Sequence, residues 1–148
     1  MSDASAAEDL ERVRAWFAEL ARCVRAVDFV AARHLFAEDM VAFGTFSDLV
    51  VGREAVERQQ WRSVWPFIAD FRWRLEEVRA FVAADRLSAT GLACFDSTGF
   101  SRGGERYERP GRATVAFRRA AIGEPWTARH THMSLFRGVP QQSFGAKA

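Results

Sequence analysis

Two imidazoles two residues apart, His130 and His132, sit inside an apolar segment running from Trp126 to Phe136. Side chains alternate across a strand, so Trp126, Ala128, His130, His132, Ser134 and Phe136 are expected to share one face. A face that mixes aromatic rings with imidazoles suits the wall of a pocket, and imidazole is the side chain best suited to exchanging protons near neutral pH. The structural alternative is that one ring satisfies buried backbone or hydroxyl groups while the other sits at the rim. A His-x-His pair also suits a metal, but a usable site needs a third protein ligand and the spacing supplies none, so no metal is expected.

One strand earlier, Arg112 and Thr114 share a face. There a guanidinium can pin a carboxylate, enolate or phenolate oxygen and a hydroxyl can orient it. The alternative for Arg112 is an ion pair with Asp96 or with a helix carboxylate. Asp96 shares parity with Cys94 and Thr90 and is either a pocket acid or a rim residue. Cys94 reads as a small packing residue, since nothing in its surroundings ensures a thiolate. Trp16, Trp61 and Trp65 fall on helical segments, and with Phe43 they can form an aromatic cage for a flat apolar ligand. Aromatics at helical spacing also serve as plain core.

These side chains need elements to hold them. With 148 residues and 49% hydrophobic content, the chain fits one globular domain with a sizeable core. Two cysteines without a paired framework point to reduced, structural thiols. The acidic opening residues lack a cationic and apolar leader, and no apolar run approaches about 18 residues, so a cytoplasmic protein with no membrane partner is expected. Lys147 is the only lysine among 21 basic residues, the net charge is only +2 and acids are interspersed, so no nucleic-acid partner is expected.

Ser5 followed by Glu8 fits a capping box, and Leu10, Val13, Phe17, Leu20, Val24 and Val27 recur at helical spacing. Asp28 can cap a second short helix to about Ala37, with residues 40–44 then forming a short strand. Gly52 introduces a third helix from Arg53 to about Val64, stopped by Pro66. From Phe71 the period becomes two, with strands expected near 70–83, 86–98, 105–119 and 125–136. Parity changes between Leu75 and Val78, so a bulge is expected near Glu76 and Glu77. Short connections make an antiparallel meander the simplest topology. Gly99 to Gly104 forms a loop, either a lid or a solvated turn. The tail from Gly138 has no periodicity and is expected to be flexible, leaving residues 1–137 as the domain.

Phe43-Gly44, Asp48 through Val56, Arg112-Ala-Thr114 and Trp126 through Ser134 together resemble the SnoaL-like branch of the nuclear transport factor 2-like superfamily, also called the ketosteroid isomerase-like or cystatin-like cone fold. The likeness runs from about Leu10 to Phe136. It implies an α+β fold in which three N-terminal helices pack on a strongly curved, mostly antiparallel sheet and enclose a conical pocket. It also implies that Arg112, Thr114, Trp126, His130, His132 and Ser134 point into the cone, and that the chain forms a homodimer. Tyr107, the sole tyrosine, lacks the matching acid of a ketosteroid isomerase oxyanion site. The dimer also has room on the broad sheet, whose outer parity in the last strand is read as Thr127, Arg129, Thr131, Met133 and Leu135. Two functions follow. One is a cofactor-independent isomerase, cyclase or dehydratase acting on an apolar carbonyl or aromatic compound, with His130 or His132 moving a proton and Arg112 steadying an oxyanion. The other is a non-catalytic binding or dimeric association module. A deep polar pocket favours the first, and a pocket filled by its own Trp and Phe rings favours the second.

Overall fold

A computed structural model describes residues 2–147. Helix α1 (Asp3–Ala26) forms because Val13, Trp16, Phe17, Leu20, Ala21 and Val24 recur every three or four residues and bury one stripe. Its N-cap is Ser2, whose side chain accepts from the Ser5 N–H, so the helix starts one turn before the Ser5 box anticipated from sequence. Val27 closes it in the left-handed region, with its N–H bonded to the carbonyls of Cys23 and Val24. Asp28 caps the short helix α2 (Phe29–Arg33) through the Ala31 N–H, as its position suggests.

The chain then enters strand β1 (Phe36–Phe43) and pairs with the two-residue strand β2 (Val50–Val51). The third helical stretch runs from α3 (Arg53–Val56) through a π turn at Glu57–Trp61 to α4 (Arg62–Val64) and a 3-10 turn at Trp65–Phe67 containing Pro66. Glu57, Gln60 and Trp61 are all buried in that wider turn.

The expected first strand is split into β3 (Ala69–Trp73) and β4 (Arg79–Val82) by a 3-10 turn at Leu75–Glu77, where a bulge was expected. Strand β5 (Ser88–Phe100) carries both of them along one side. On its other side lie β6 (Arg106–Glu108) and β7 (Gly111–Arg118), separated at Arg109-Pro110. Strand β8 (Thr127–Leu135) pairs antiparallel with β7 and parallel with β1. The sheet is therefore mixed, not a pure meander, because β1 returns from the N-terminal half to cover an edge that local alternation cannot reveal. The fold is α+β: helices on one face of the sheet, with the core between them. On the inner face Gly91 lets Phe17 and Phe117 approach the strand, since a Cβ there would come within 2.7 Å of the Phe117 ring.

Residues 138–147 carry no helix or strand and make hydrogen bonds to the body of the protein. Phe144 N–H donates to the Phe100 carbonyl at 2.9 Å, and Ser143 Oγ accepts from the Phe100 N–H at 2.9 Å while donating to the Phe67 carbonyl.

Glu57 links the helical layer. Arg33 Nη2 reaches its Oε2 at 3.0 Å, and Arg62 Nη2 the same oxygen at 2.8 Å. The hydrogen bonds from Arg33 hold this carboxyl well below the usual range, at about 2. Because the folded value lies below the unfolded one, the stabilisation is complete above about pH 4.5 and disappears as pH falls through about 2. Both arginines are half-exposed, so the gain is discounted to about 1–2 kcal/mol. Glu57→Gln should be less stable than the parent by that amount at pH 7, with the gap closing as pH falls through about 2. Urea midpoints measured across that range check this, and a constant gap would remove the ion-pair explanation.

Candidate functional site

The side chains expected to share one pocket lie on opposite faces of the sheet. A bulge in β8 sorts them. Phe117 pairs with Ala128 and Ala116 with His130, so Arg129 is an extra residue without a partner. One extra residue reverses parity. Trp126 and Ala128 stay buried, whereas beyond the bulge Thr131, Met133 and Leu135 turn toward the core and His130, His132 and Ser134 turn outward. The outer parity read for this strand is thereby corrected: Thr131, Met133 and Leu135 belong inside.

Arg112 and Thr114 are also on the outer face, opposite Ser134 and His132. In β7 the inward set is Ala113, Val115 and Phe117. Of the six residues that the family likeness points into the cone, only Trp126 faces inward. The outer face is ordered in transverse rows. One runs Val51, Val41, His130, Ala116, Thr90, Phe81 across six strands, and the next runs Phe43, His132, Thr114, Leu92, Arg79. Phe43 stands edge-on to both imidazoles, with ring centroids 5.1 Å from each. His130 Nδ1 lies 2.7 Å from the Val41 carbonyl, which can only accept, so Nδ1 carries the proton and donates. This ring satisfies backbone, and His132 is exposed.

Among the described residues Arg112 pairs with no acid. Its guanidinium lies 4.7 Å from the centre of the Phe136 ring. Asp96 is taken instead by Arg74, in a two-pronged contact of 2.9 and 3.0 Å that keeps its carboxyl below the usual range. Cys94 is half-buried on the same outer face, opposite Arg112. The other thiol, Cys23, is buried, and that burial pushes it up to about 11.

Inside, the aromatics meet one another. Trp61 and Trp65 stack at 5.0 Å, Phe29 stacks on Trp65 at 5.4 Å, and Phe71 packs on Phe95 at 4.9 Å. Trp16 is farther down, packed against Phe17, Phe36 and Phe117 as core. The cavity left between helices and sheet has a free volume of about 50 Å³, against roughly 300–1,000 Å³ for typical small-molecule pockets. Trp61 and Trp65 line it, but neither histidine does, nor do Arg112, Thr114, Asp96, Cys94 or Ser134.

Its polar lining comes from residues not anticipated from sequence. Gln60, Thr45 and Arg109 face it among the rings. Arg109 occupies the break between β6 and β7, fixed there by its N–H to the Ser97 carbonyl at 2.8 Å and by the Ser97 hydroxyl donating to its own carbonyl at 2.7 Å. The available signal was Pro110, which cannot donate to a ladder and so marks a strand interruption at Arg109. Nothing local indicates that the arginine turns inward. Among the described residues, no group of three or more His, Cys, Asp or Glu is placed to hold a metal, and no helix is long and apolar enough to cross a membrane.

This order of helices and strands, with an aromatic-lined hollow beneath the helices, defines an α+β fold of the NTF2-like, cystatin-like kind. More narrowly, the chain belongs to the SnoaL-like domain family, whose pattern it matches over residues 13–138. A ketosteroid isomerase-like protein from Erwinia carotovora atroseptica is similar with a TM-score of 0.71 at 17% identity, over 86% of this chain and 96% of that one. An NTF2-like superfamily protein from Salmonella enterica serovar Typhimurium gives 0.71 at 12% identity, over 87% and 92%. The association domain of C. elegans CaMKII gives 0.66 at 16% identity, over 90% and 99%. At such identities the likeness is one of fold. No curated protein matches the sequence.

Proposed function

We propose that this SnoaL-like protein is a non-catalytic association module that forms a homodimer through the outer face of its sheet. The observation carrying this reading is the separation of the two sets of side chains. The hollow is narrowed by its own tryptophans and phenylalanines to about 50 Å³, while His130, His132, Arg112 and Thr114 stand outside it. An isomerase, cyclase or dehydratase using those histidines on an apolar carbonyl compound would need a substrate on the far side of the sheet from the aromatic rings.

The outer rows instead suit a self-complementary contact. They combine Phe81, 64% exposed, Phe43, 38% exposed, and Val51, 66% exposed, with Leu92, Ala116 and uncharged polar groups between them. Similarity in fold to the CaMKII association domain lends the reading support. In a two-fold contact each substitution acts twice. Thr114 lies mid-row, so Thr114→Arg places two like charges in the interface and should weaken pairing at least about a hundredfold. Sedimentation equilibrium at micromolar concentration should give twice 16.7 kDa for the parent and 16.7 kDa for the variant. A monomeric parent at that concentration removes the proposal.

A further inference from the structure

Arg109 is the one inward-facing guanidinium of the cavity lining, and only 2% of the residue is exposed. Burying an arginine is costly unless its charge and its N–H groups are answered. Here they are answered in part. Nη2 donates to the Gln141 carbonyl at 3.0 Å and to Thr45 Oγ1 at 3.3 Å. Nε is buried without a hydrogen-bond partner, and among the described residues no carboxylate forms an ion pair with the side chain. By contrast, the other fully buried arginine, Arg119, has Asp9 at 2.6 Å.

We propose that Arg109 anchors a buried anion subsite that takes a short-chain aliphatic carboxylate of about acetate size. The guanidinium at the cavity wall supplies the donors and the positive charge, and the carboxylate supplies the opposing charge that no described side chain provides. Size follows from the free volume. About 50 Å³ leaves room for a ligand of only a few heavy atoms. The walls suit a short apolar end as well, since Phe71, Phe95, Trp61 and Met133 line the same space. Burial lowers the proton affinity of the guanidinium, and a bound carboxylate relieves that penalty. The subsite is independent of the outer face, so it stands or falls separately from dimer formation.

The test is thermal unfolding of the full chain in 100 mM sodium acetate against 100 mM sodium chloride at equal pH, with benzoate as a carboxylate too large for the space. A dissociation constant at or below about 1 mM raises Tm in acetate by roughly 5–10 °C over chloride. Benzoate should give no such shift. Arg109→Met should remain folded and lose the acetate-specific shift. If that variant does not fold, Arg109→Lys, which keeps the charge but lacks the planar guanidinium fork, should show a reduced shift. Equal Tm in acetate and chloride for the parent overturns the proposal, as does an undiminished shift in either variant. A benzoate shift matching that of acetate overturns the size assignment.

Discussion

Asp9→Ala is expected to lose about 3–5 kcal/mol of folding stability, the usual cost of removing one partner from a buried ion pair. Asp9 and the Arg119 side chain are both fully inaccessible to solvent. Arg119 Nη2 meets Asp9 Oδ1 at 2.6 Å, while Arg86 reaches the two carboxylate oxygens at 2.7 and 3.0 Å. The Arg119 guanidinium also lies 3.9 Å from the centre of the Trp126 ring, whose Nε1 donates to the Asp9 carbonyl at 3.4 Å. One carboxylate thus fastens α1 to the turn before β5 and to the end of β7. Without it, Arg119 retains backbone carbonyls but no opposing charge. Hydrogen bonds from Arg86 hold the Asp9 carboxyl below its ordinary value, so this stabilisation persists through neutral pH and weakens only as strong acid protonates the group. Urea unfolding at pH 7 checks the prediction. Asp9→Leu combined with Arg119→Met should recover part of the loss, since the fully buried charge leaves with its partner while Arg86, whose side chain is 16% exposed, remains. A single-variant loss below about 1 kcal/mol would mean that water or backbone compensates the arginines.

Trp16→Ala should cost a further class of stability, about 3–5 kcal/mol, through the cavity it leaves. The residue is 3% exposed, and its ring meets Phe17, Phe36 and Phe117 edge-on at centroid distances of 5.2, 5.4 and 4.9 Å. Its Nε1 donates to the Leu35 carbonyl at 2.9 Å, an oxygen that also accepts from the Ala128 N–H at 2.9 Å, so truncation removes one bond but leaves that acceptor paired. Trp16→Phe should retain much of the packing and cost less. Guanidinium midpoints for both variants separate the two contributions. If Trp16→Ala unfolds within 1 kcal/mol of the parent, its ring is not a core element.

The long helix was legible because its apolar positions keep one period for six turns, and the second helix because Asp28 is a strong cap immediately before it. Gly52 and Pro66 likewise bracket the third helical stretch. The start of β1 was hidden, since Phe36 follows α2 with no glycine or proline between them. Parallel pairing of β1 with β8 joins residues about 90 positions apart, beyond the reach of any local pattern. The candidate site failed at two identifiable places. Alternation within β7 already sets Val115 and Phe117 against Arg112 and Thr114, and the family likeness argued the reverse. In β8 the apolar parity shifts from Trp126 and Ala128 to Thr131, Met133 and Leu135, a shift that only an extra residue explains. Arg109 and Asp9 escaped notice for another reason: charged residues are ordinarily exposed, and their burial depends on partners 32 and 110 residues away.

The unpaired Arg129 gives the SnoaL-like chain an unusual route to change. Removing that one residue would restore strict alternation, carrying either the Trp126 end or the histidine end of β8 through the sheet. In the latter case His130, His132 and Ser134 would exchange sides with Thr131, Met133 and Leu135 although no codon for any of them had altered. Within this architecture, a single-residue insertion or deletion in the last strand can decide which surface meets solvent and which meets the hollow, a larger step than any one substitution there provides.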